Sequence, residues 1–302
     1  MHEALVWDST RRCIKLVGWP IAGVVSERIV ILSDTHFGRP HSAAVSAAAL
    51  RPLWAGASHL IINGDVAEIH HPHHWPTAAR QVLHLFDLCD EDGVALTLLS
   101  GNHDPFISDL RHLHLCNGDV FVTHGDALHP AIAPWSPNAT RLRQAHRQAI
   151  RLMDPQDRDE LQSRLAAAQH ASFTEWENLR EQAAQSSLRA MLLRPWALLE
   201  VIQYWREYPQ LAASFAREHA PHAKFIITGH THRPGIWTIQ DKTIINTGGY
   251  GFPGPPAVVV IEDDTLSVLR IGLRNGRYDF AAPVMARFAL VHAAPAIARA
   301  VA

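Results

Sequence analysis

Ile226-Ile227-Thr228-Gly229-His230-Thr231-His232 is a short apolar run that ends in two histidines one residue apart. Alternate residues of an extended segment point the same way, so both imidazoles are expected to face one spot just past a strand, where they suit a metal ion. Four earlier stretches have the same construction, an apolar run of strand length closing on ligand-type residues: 29–36, 60–65, 96–104 and 121–126. Lying side by side in one sheet, these strands would bring Asp34, His36, Asp65, Asn102, His103, His124, His230 and His232 together at their ends. No other constellation in the sequence competes with this one.

The remainder of the chain sets bounds on what that set can serve. At 302 residues it can bury a sizeable core, and its 47% hydrophobic content is that of a globular protein. With 27 basic and 29 acidic residues and a pI near 6.9, it lacks the basic footprint of a duplex nucleic-acid binder. Histidine stands out at 21 residues, which in a neutral chain favours metal binding or acid–base chemistry. Cys13, Cys89 and Cys116 are scattered and odd in number, which argues against a disulfide framework and fits a reduced, cytoplasmic compartment. Glu3 stands early and no basic segment leads into a long apolar run, so neither a secretory leader nor a membrane span is expected.

Along the chain, two short apolar runs at 5–7 and 13–17 suggest a hairpin or edge strands ahead of the first core strand. Alanine-rich 41–50 reads as a helix, and 77–90 carries Val82, Leu85, Phe86 and Leu88 at roughly helical spacing. Strands at 60–62 and 95–99 follow, so β and α alternate and parallel strands are expected. After Asp126 comes a passage with Pro130, Pro134 and Pro137, then residues 138–220 with no strand signal. Asp154-Pro155 reads as an N-cap with proline at the first helical position. Residues 188–204 are apolar on most faces, so that helix must be covered, by neighbouring helices or by a greasy substrate or partner. Strand signal returns from Lys224, with polar turns at Gln240-Asp241 and Asp263-Asp264 that suit antiparallel pairing. The Ala-rich tail, 283–302, reads as a closing helix.

Imidazoles, carboxylates and one amide oxygen suit hard-to-borderline divalent ions, and no cysteine neighbours the set. Seven ligands are most economically used by two metals sharing one carboxylate, for which Asp65 is the candidate. Two metals about 3.5–4 Å apart polarise a phosphoryl oxygen and turn a bridging water into hydroxide, as in-line hydrolysis of a phosphate ester requires. Gly64, Gly101 and Gly229 stand just before ligands, where the backbone must turn and approach the ions.

In order and spacing, Asp34-x-His36, Gly64-Asp65, Gly101-Asn102-His103-Asp104, His124-Gly125-Asp126 and Gly229-His230-Thr231-His232 resemble the motifs of the calcineurin-like metallophosphoesterases. The resemblance implies an α/β (α+β) fold, a four-layer αββα sandwich with an inserted helical cap. The core would be 1–137 and 221–302, the insert 138–220, with a C-terminal helix over 283–302. It implies that Asp34, His36, Asp65 and His232 hold one metal and Asp65, Asn102, His124 and His230 a second. His103 would protonate or stabilise the leaving oxygen, with Glu68 as its acid partner where the family more usually has aspartate. Asp104 and Asp126 would orient ligands or loop backbone without binding metal. The implied cofactors are two divalent ions, Mn²⁺ first, with Fe²⁺, Zn²⁺ or Co²⁺ as alternatives, and the implied enzyme is a metal-dependent phosphoric ester hydrolase.

The substrate is less legible. Helical material between the last two motifs, together with the sequence GHTHRP at 229–234, resembles the UDP-2,3-diacylglucosamine pyrophosphohydrolases of lipid A synthesis. That group usually has arginine where this chain has His103, and DLH where this chain has DTH. The expected partner is a phosphorylated small molecule or a lipid-linked substrate, with peripheral contact to the inner face of a membrane through the insert. Nuclease, cyclic-nucleotide phosphodiesterase and non-catalytic scaffold are the other readings. The cluster His70-His71-Pro72-His73-His74-Trp75 could touch substrate, bind a further ion or form a polar loop.

Overall fold

A computed structural model describes residues 6–8, 13–15, 28–39, 46–181, 195–251 and 254–290. Strands β3 (Ile29–Leu32), β4 (His59–Asn63) and β5 (Ala95–Leu99) are parallel neighbours. The two crossovers contain the short helix α1 (Ala47–Leu50) and the long helix α2 (Trp75–Asp92). Ser46 starts α1 by accepting the Ala49 N–H at 3.1 Å, and Gly93, with φ 66°, ends α2 in the left-handed cap that lacks a Cβ penalty. Beyond β3 the sheet continues antiparallel through β11 (Ala257–Glu262), β12 (Thr265–Arg274) and β13 (Arg277–Ala289), in the order β13-β12-β11-β3-β4-β5.

A second sheet contains β6 (His112–Leu115), β7 (Val120–Thr123), β8 (Phe225–Thr228), β9 (Gly235–Ile239) and β10 (Lys242–Asn246). Its order is β6-β7-β8-β10-β9. At the N-terminus β1 (Val6–Asp8) pairs antiparallel with β2 (Cys13–Lys15), the first of the two arrangements expected there.

Period-two alternation builds the layers. Ile29, Ile31 and Ile61 from the first sheet meet Val120, Val122, Phe225, Ile227 and Ile245 from the second in one buried cluster between the sheets. The intervening residues Val30, Leu32, Leu60 and Ile62 face the other way, onto Leu50, Trp54, Leu85 and Leu88 of the α1–α2 side. On the far side Phe121, Ile226 and Ile244 pack under Ala212, Ala213 and Ala216 of helix α5 (Pro195–His219). Each such aliphatic or aromatic side chain contributes about 1.5–3 kcal/mol on burial. The result is helix, sheet, sheet, helix, the sandwich that the motifs implied.

Several expectations are corrected. The ligand-bearing strands do not share one sheet: β3, β4 and β5 lie in one and β7 and β8 in the other. The helical insert does not extend to residue 220, because α5 is the outer layer over the second sheet. Asp154 does not cap a helix; its Oδ1 accepts the Gln156 N–H at 3.0 Å in a local turn, and the next helix, α4 (Leu161–Glu181), starts later. A separate helix, α3 (Ala139–Leu152), precedes that turn. The closing helix over 283–302 is not found where it can be judged: residues up to Ala289 extend β13 against β12, and 291–302 lie outside the described residues. Helix expected at 41–50 is described only from Ala47 onward, and of the apolar 188–204 stretch, 188–194 also lie outside. In the described part Leu199 and Ile202 are left 59% and 42% exposed, so among the described residues no neighbouring helix covers that face of α5.

Candidate metal centre

Past their last strand residues, β3, β4 and β8 turn sharply in the left-handed region, with φ of 53° at Asp34, 45° at His36, 50° at Asp65, 68° at His230 and 55° at His232. Such φ values are uncommon outside glycine and concentrate where surrounding structure enforces them. Here the enforcement is backbone pairing across the loops: Asp34 N–H to Gly64 O (3.1 Å), His36 N–H to Asp65 O (2.9 Å) and Phe37 N–H to Val66 O (2.8 Å). Because the histidine segment is not extended, His230 and His232 do not face one spot as alternation predicts. His232 joins Asp34, His36 and Asp65, while His230 joins Asp65 and His124, the ligand atoms of each group lying within 4.8 Å of one another. Asp65 is common to both groups.

His36, His124 and His230 each have one ring nitrogen bonded to an oxygen and turn the other toward the donor atoms of the cluster. His36 Nδ1 donates to Glu68 Oε1 (3.0 Å), and its Nε2 stands 3.0 Å from His232 Nε2. His124 Nδ1 donates to Asn63 O (2.9 Å), and its buried Nε2 has no hydrogen-bond partner. His230 Nε2 donates to Ile132 O (3.0 Å), which turns Nδ1 toward Asn102 Oδ1 at 2.9 Å. Lone pairs brought together without a proton between them repel unless a cation lies there, so the donor set fits divalent ions.

Titration preferences agree with that charge pattern. Burial raises the Asp34 and Asp65 carboxyls, but the neighbouring histidines outweigh it and hold both below the usual range. Burial pulls His36 down to about 4 and, with the help of His124, His230 to about 4. For His124 burial is overcome by Asp65 and Asp34, which push it up to about 10; a metal ion would take the place of that proton.

Glu68, buried to 3% exposure, joins His36 to His103: its Oε2 lies 3.1 Å from His103 Nδ1. Burial lowers His103, but Glu68 and Asp65 prevail and push it up to about 9. Its side chain is 26% exposed, as is that of His232.

Asp104 behaves as expected, accepting the N–H groups of Asp65 (3.2 Å), Val66 (2.5 Å), Ala67 (3.1 Å) and Gly101 (2.8 Å), which ties the second motif to the third. Burial and the Asp65 charge push its carboxyl up to about 7, yet four donors leave no acceptor for a carboxylic proton, and the geometry favours the anion. Asp126 does not reach a ligand; its carboxylate pairs with buried Arg111 at 2.6 Å. In the histidine cluster, His70 is buried beside Phe106 and Phe173, and His71 stacks on His74 at 3.8 Å.

Residues that were not singled out from the sequence complete the cradle. Ser33 bonds Thr247 Oγ1 (2.6 Å), and Asn246 Nδ2 donates to Gly229 O and, at 3.1 Å, to Thr231 Oγ1. A Cβ on Gly249 would come within 2.9 Å of the His232 ring, so this turn can only be built tight against the ligand. The signal was present: an apolar strand closing on Asn246-Thr247-Gly248-Gly249 has the same construction as the other five segments.

The pattern of the calcineurin-like phosphoesterases matches residues 27–234, about two thirds of the chain. The chain belongs to that family. A search of curated proteins gives no match. Among solved structures, this phosphoesterase is similar to Vps29 from Chaetomium thermophilum at 12% identity, covering 87% of this chain and 99% of that one with TM-score 0.43. It is also similar to YfcE, a phosphoesterase from E. coli, at 16% identity over 87% and 100% of the two chains with TM-score 0.39. Vps29 complexed with zinc from Entamoeba histolytica aligns at 13% identity over 85% and 98%, TM-score 0.39. These likenesses are too loose to carry a residue across. The family fold itself implies divalent metals, and among the described residues no helix is long and apolar enough to cross a membrane.

Proposed function

We propose that this phosphoesterase is a dinuclear, metal-dependent hydrolase of a phosphate ester or pyrophosphate. Asp34, His36, Asp65 and His232 would hold one divalent cation, and Asp65, Asn102, His124 and His230 the other. Bound there, the pair would polarise a phosphoryl oxygen and supply a nucleophile from water at neutral pH. His103, partly exposed at the edge of the cluster and held by Glu68, would give a proton to the leaving oxygen.

The observation that carries this reading is the gathering of ligand-type atoms into two groups that share Asp65, with His36 Nε2 and His232 Nε2 3.0 Å apart and His230 Nδ1 2.9 Å from Asn102 Oδ1. Metal-loaded protein should bind two cations per chain and turn over bis(4-nitrophenyl) phosphate or 4-nitrophenyl phosphate. Two bound metals with no turnover of either ester would favour a scaffold; fewer than two would overturn the dinuclear assignment. Mn²⁺ is the first ion to load, and Fe²⁺, Zn²⁺ and Co²⁺ suit the same donors.

A second reading, hydrolysis of a lipid-linked pyrophosphate of the UDP-diacylglucosamine kind, is favoured by two exposed apolar residues near the start of α5. Leu199 and Ile202 stand exposed one to two turns ahead of Trp205, whose indole N–H donates to Thr231 O beside His232 at 3.1 Å. Greasy surface and the ligand loop are thereby adjacent, and α5 could rest peripherally on a membrane at its cytoplasmic face. Turnover of UDP-diacylglucosamine well above that of cyclic nucleotides, nucleotide pyrophosphates and single-stranded DNA would support this reading. The reverse order would reject it.

A further inference from the structure

Helix α4 presents Gln169, Phe173 and Trp176 at i, i+4 and i+7, along one face. All three meet the loop after β5 that carries Asn102 and His103. The Gln169 amide donates to the Pro105 carbonyl, and the Trp176 indole N–H donates to the Asn102 carbonyl at 3.1 Å. Phe173 packs edge-on against Phe106, ring centroids 5.0 Å apart, and the Trp176 ring lies 5.5 Å from His103. Trp176 is 6% exposed, too enclosed to offer substrate a stacking face.

The same helical hairpin reaches the opposite ligand. Ile132 is β-branched yet held at φ 56°, and that conformation accompanies a carbonyl bonded to His230 Nε2 at 3.0 Å. What holds Ile132 is apolar packing with Leu142 of α3 and Ala168 and Ala171 of α4. Glu175 of α4 secures the same passage by accepting from Ser136 (3.1 Å) and Asn138 (3.0 Å).

We infer that the α3–α4 hairpin is a positioning element for one cation of the pair, with Trp176 fixing the Asn102 loop and Ile132 fixing the tautomer and tilt of His230. This rests on the dinuclear reading above. Asp34, His36 and His232 take no such support from the hairpin among the described residues. The two sites should therefore respond differently to damage at α4.

The test is Trp176→Phe, which keeps an aromatic ring and removes the N–H, read by equilibrium Mn²⁺ binding to chelator-stripped protein. Loss of an outer hydrogen bond to a ligand typically weakens metal affinity about 10–100-fold, so one of the two binding steps should fall by that factor while the other is unchanged. Turnover should fall more for an ester with a poor leaving group than for one with a good leaving group, because His103 shares the loop. The unfolding midpoint of stripped Trp176→Phe separates this effect from general loosening. Should that variant fail to fold, Gln169→Leu removes the other tether and should show the same selective loss. Two cations bound by the variant at wild-type affinity, or both steps weakened alike, would overturn the inference. A wild-type chain that binds a single cation would instead overturn the dinuclear reading, and this inference with it.

Discussion

Glu68 holds two imidazoles at once, Nδ1 of His36 at 3.0 Å and Nδ1 of His103 at 3.1 Å. Only the second is free of the metal groups formed around Asp65, so the two ends of the carboxylate serve different tasks. Replacing His103 by alanine should leave metal content intact and reduce turnover about 10²–10⁴-fold, the usual share of a general acid. Wild-type rates on an ester with a poor leaving group would remove that role from His103. Asp65→Ala should have the opposite signature, losing both cations, since Asp65 belongs to both groups; metal analysis of the purified variant decides it. Gly101→Ala should also lose metal, because its Cβ would lie 2.2 Å from Asp65 Oδ1 and 2.4 Å from Asp65 N. The residues that gather around Asp65 were legible as residue types at strand ends. The left-handed backbone of Asp34, His36, Asp65, His230 and His232 was not, because nothing in the letters Asp or His announces a positive φ.

Helix α5 seats on the second sheet through alanines: Ala212, Ala213 and Ala216 are fully buried against Phe121, Ile226 and Ile244. Small residues let helix and sheet approach closely, and a larger one has nowhere to go. Ala216→Leu should destabilise the fold by about 1–3 kcal/mol, measured by urea unfolding, while activity per folded molecule is preserved. No loss of stability would mean that α5 is a detachable lid. Residues 283–289 read from the sequence as part of an Ala-rich closing helix. β13 became a strand because β12 offers it a partner along nearly its whole length, from Arg274↔Arg277 to Thr265↔Ala289. Cross-strand pairing overrides a local helical preference.

Across the fold, buried neutral histidines tie stability to pH. His59 is 5% exposed, with Nδ1 lacking any hydrogen bond, and burial lowers its pKa to about 4; His146, 4% exposed, is lowered by burial to about 4 as well. A folded pKa below the unfolded 6.5 means the unfolded chain takes up the proton first. Stability is then full above 6.5, falls as pH drops toward 4, and levels off below, by up to about 3 kcal/mol for each group. Urea unfolding of chelator-stripped protein at about pH 7.5 and about pH 5 should show the loss, and His59→Gln should reduce it. An identical pH dependence in that variant would contradict the assignment. Restoring divalent metal at about 100 times its dissociation constant should add about 2.7 kcal/mol per site, a rise in unfolding midpoint that chelator reverses.

Side-chain pattern alone carried the candidate site: apolar runs ending in carboxylate, amide and imidazole mark strands that end at one cluster of metal-type donors, wherever those strands lie. Assignment of the strands to two sheets, the pairing of His230 with His124 rather than with His232, and the place of α5 in the sandwich came only from the folded chain. So did the carbonyls of Asn63, Asn102 and Ile132 that orient the cluster from behind. Every residue has a carbonyl, so sequence cannot mark which ones will be used. Long-range packing selects them by deciding which backbone oxygen ends up within reach of which ring nitrogen or indole.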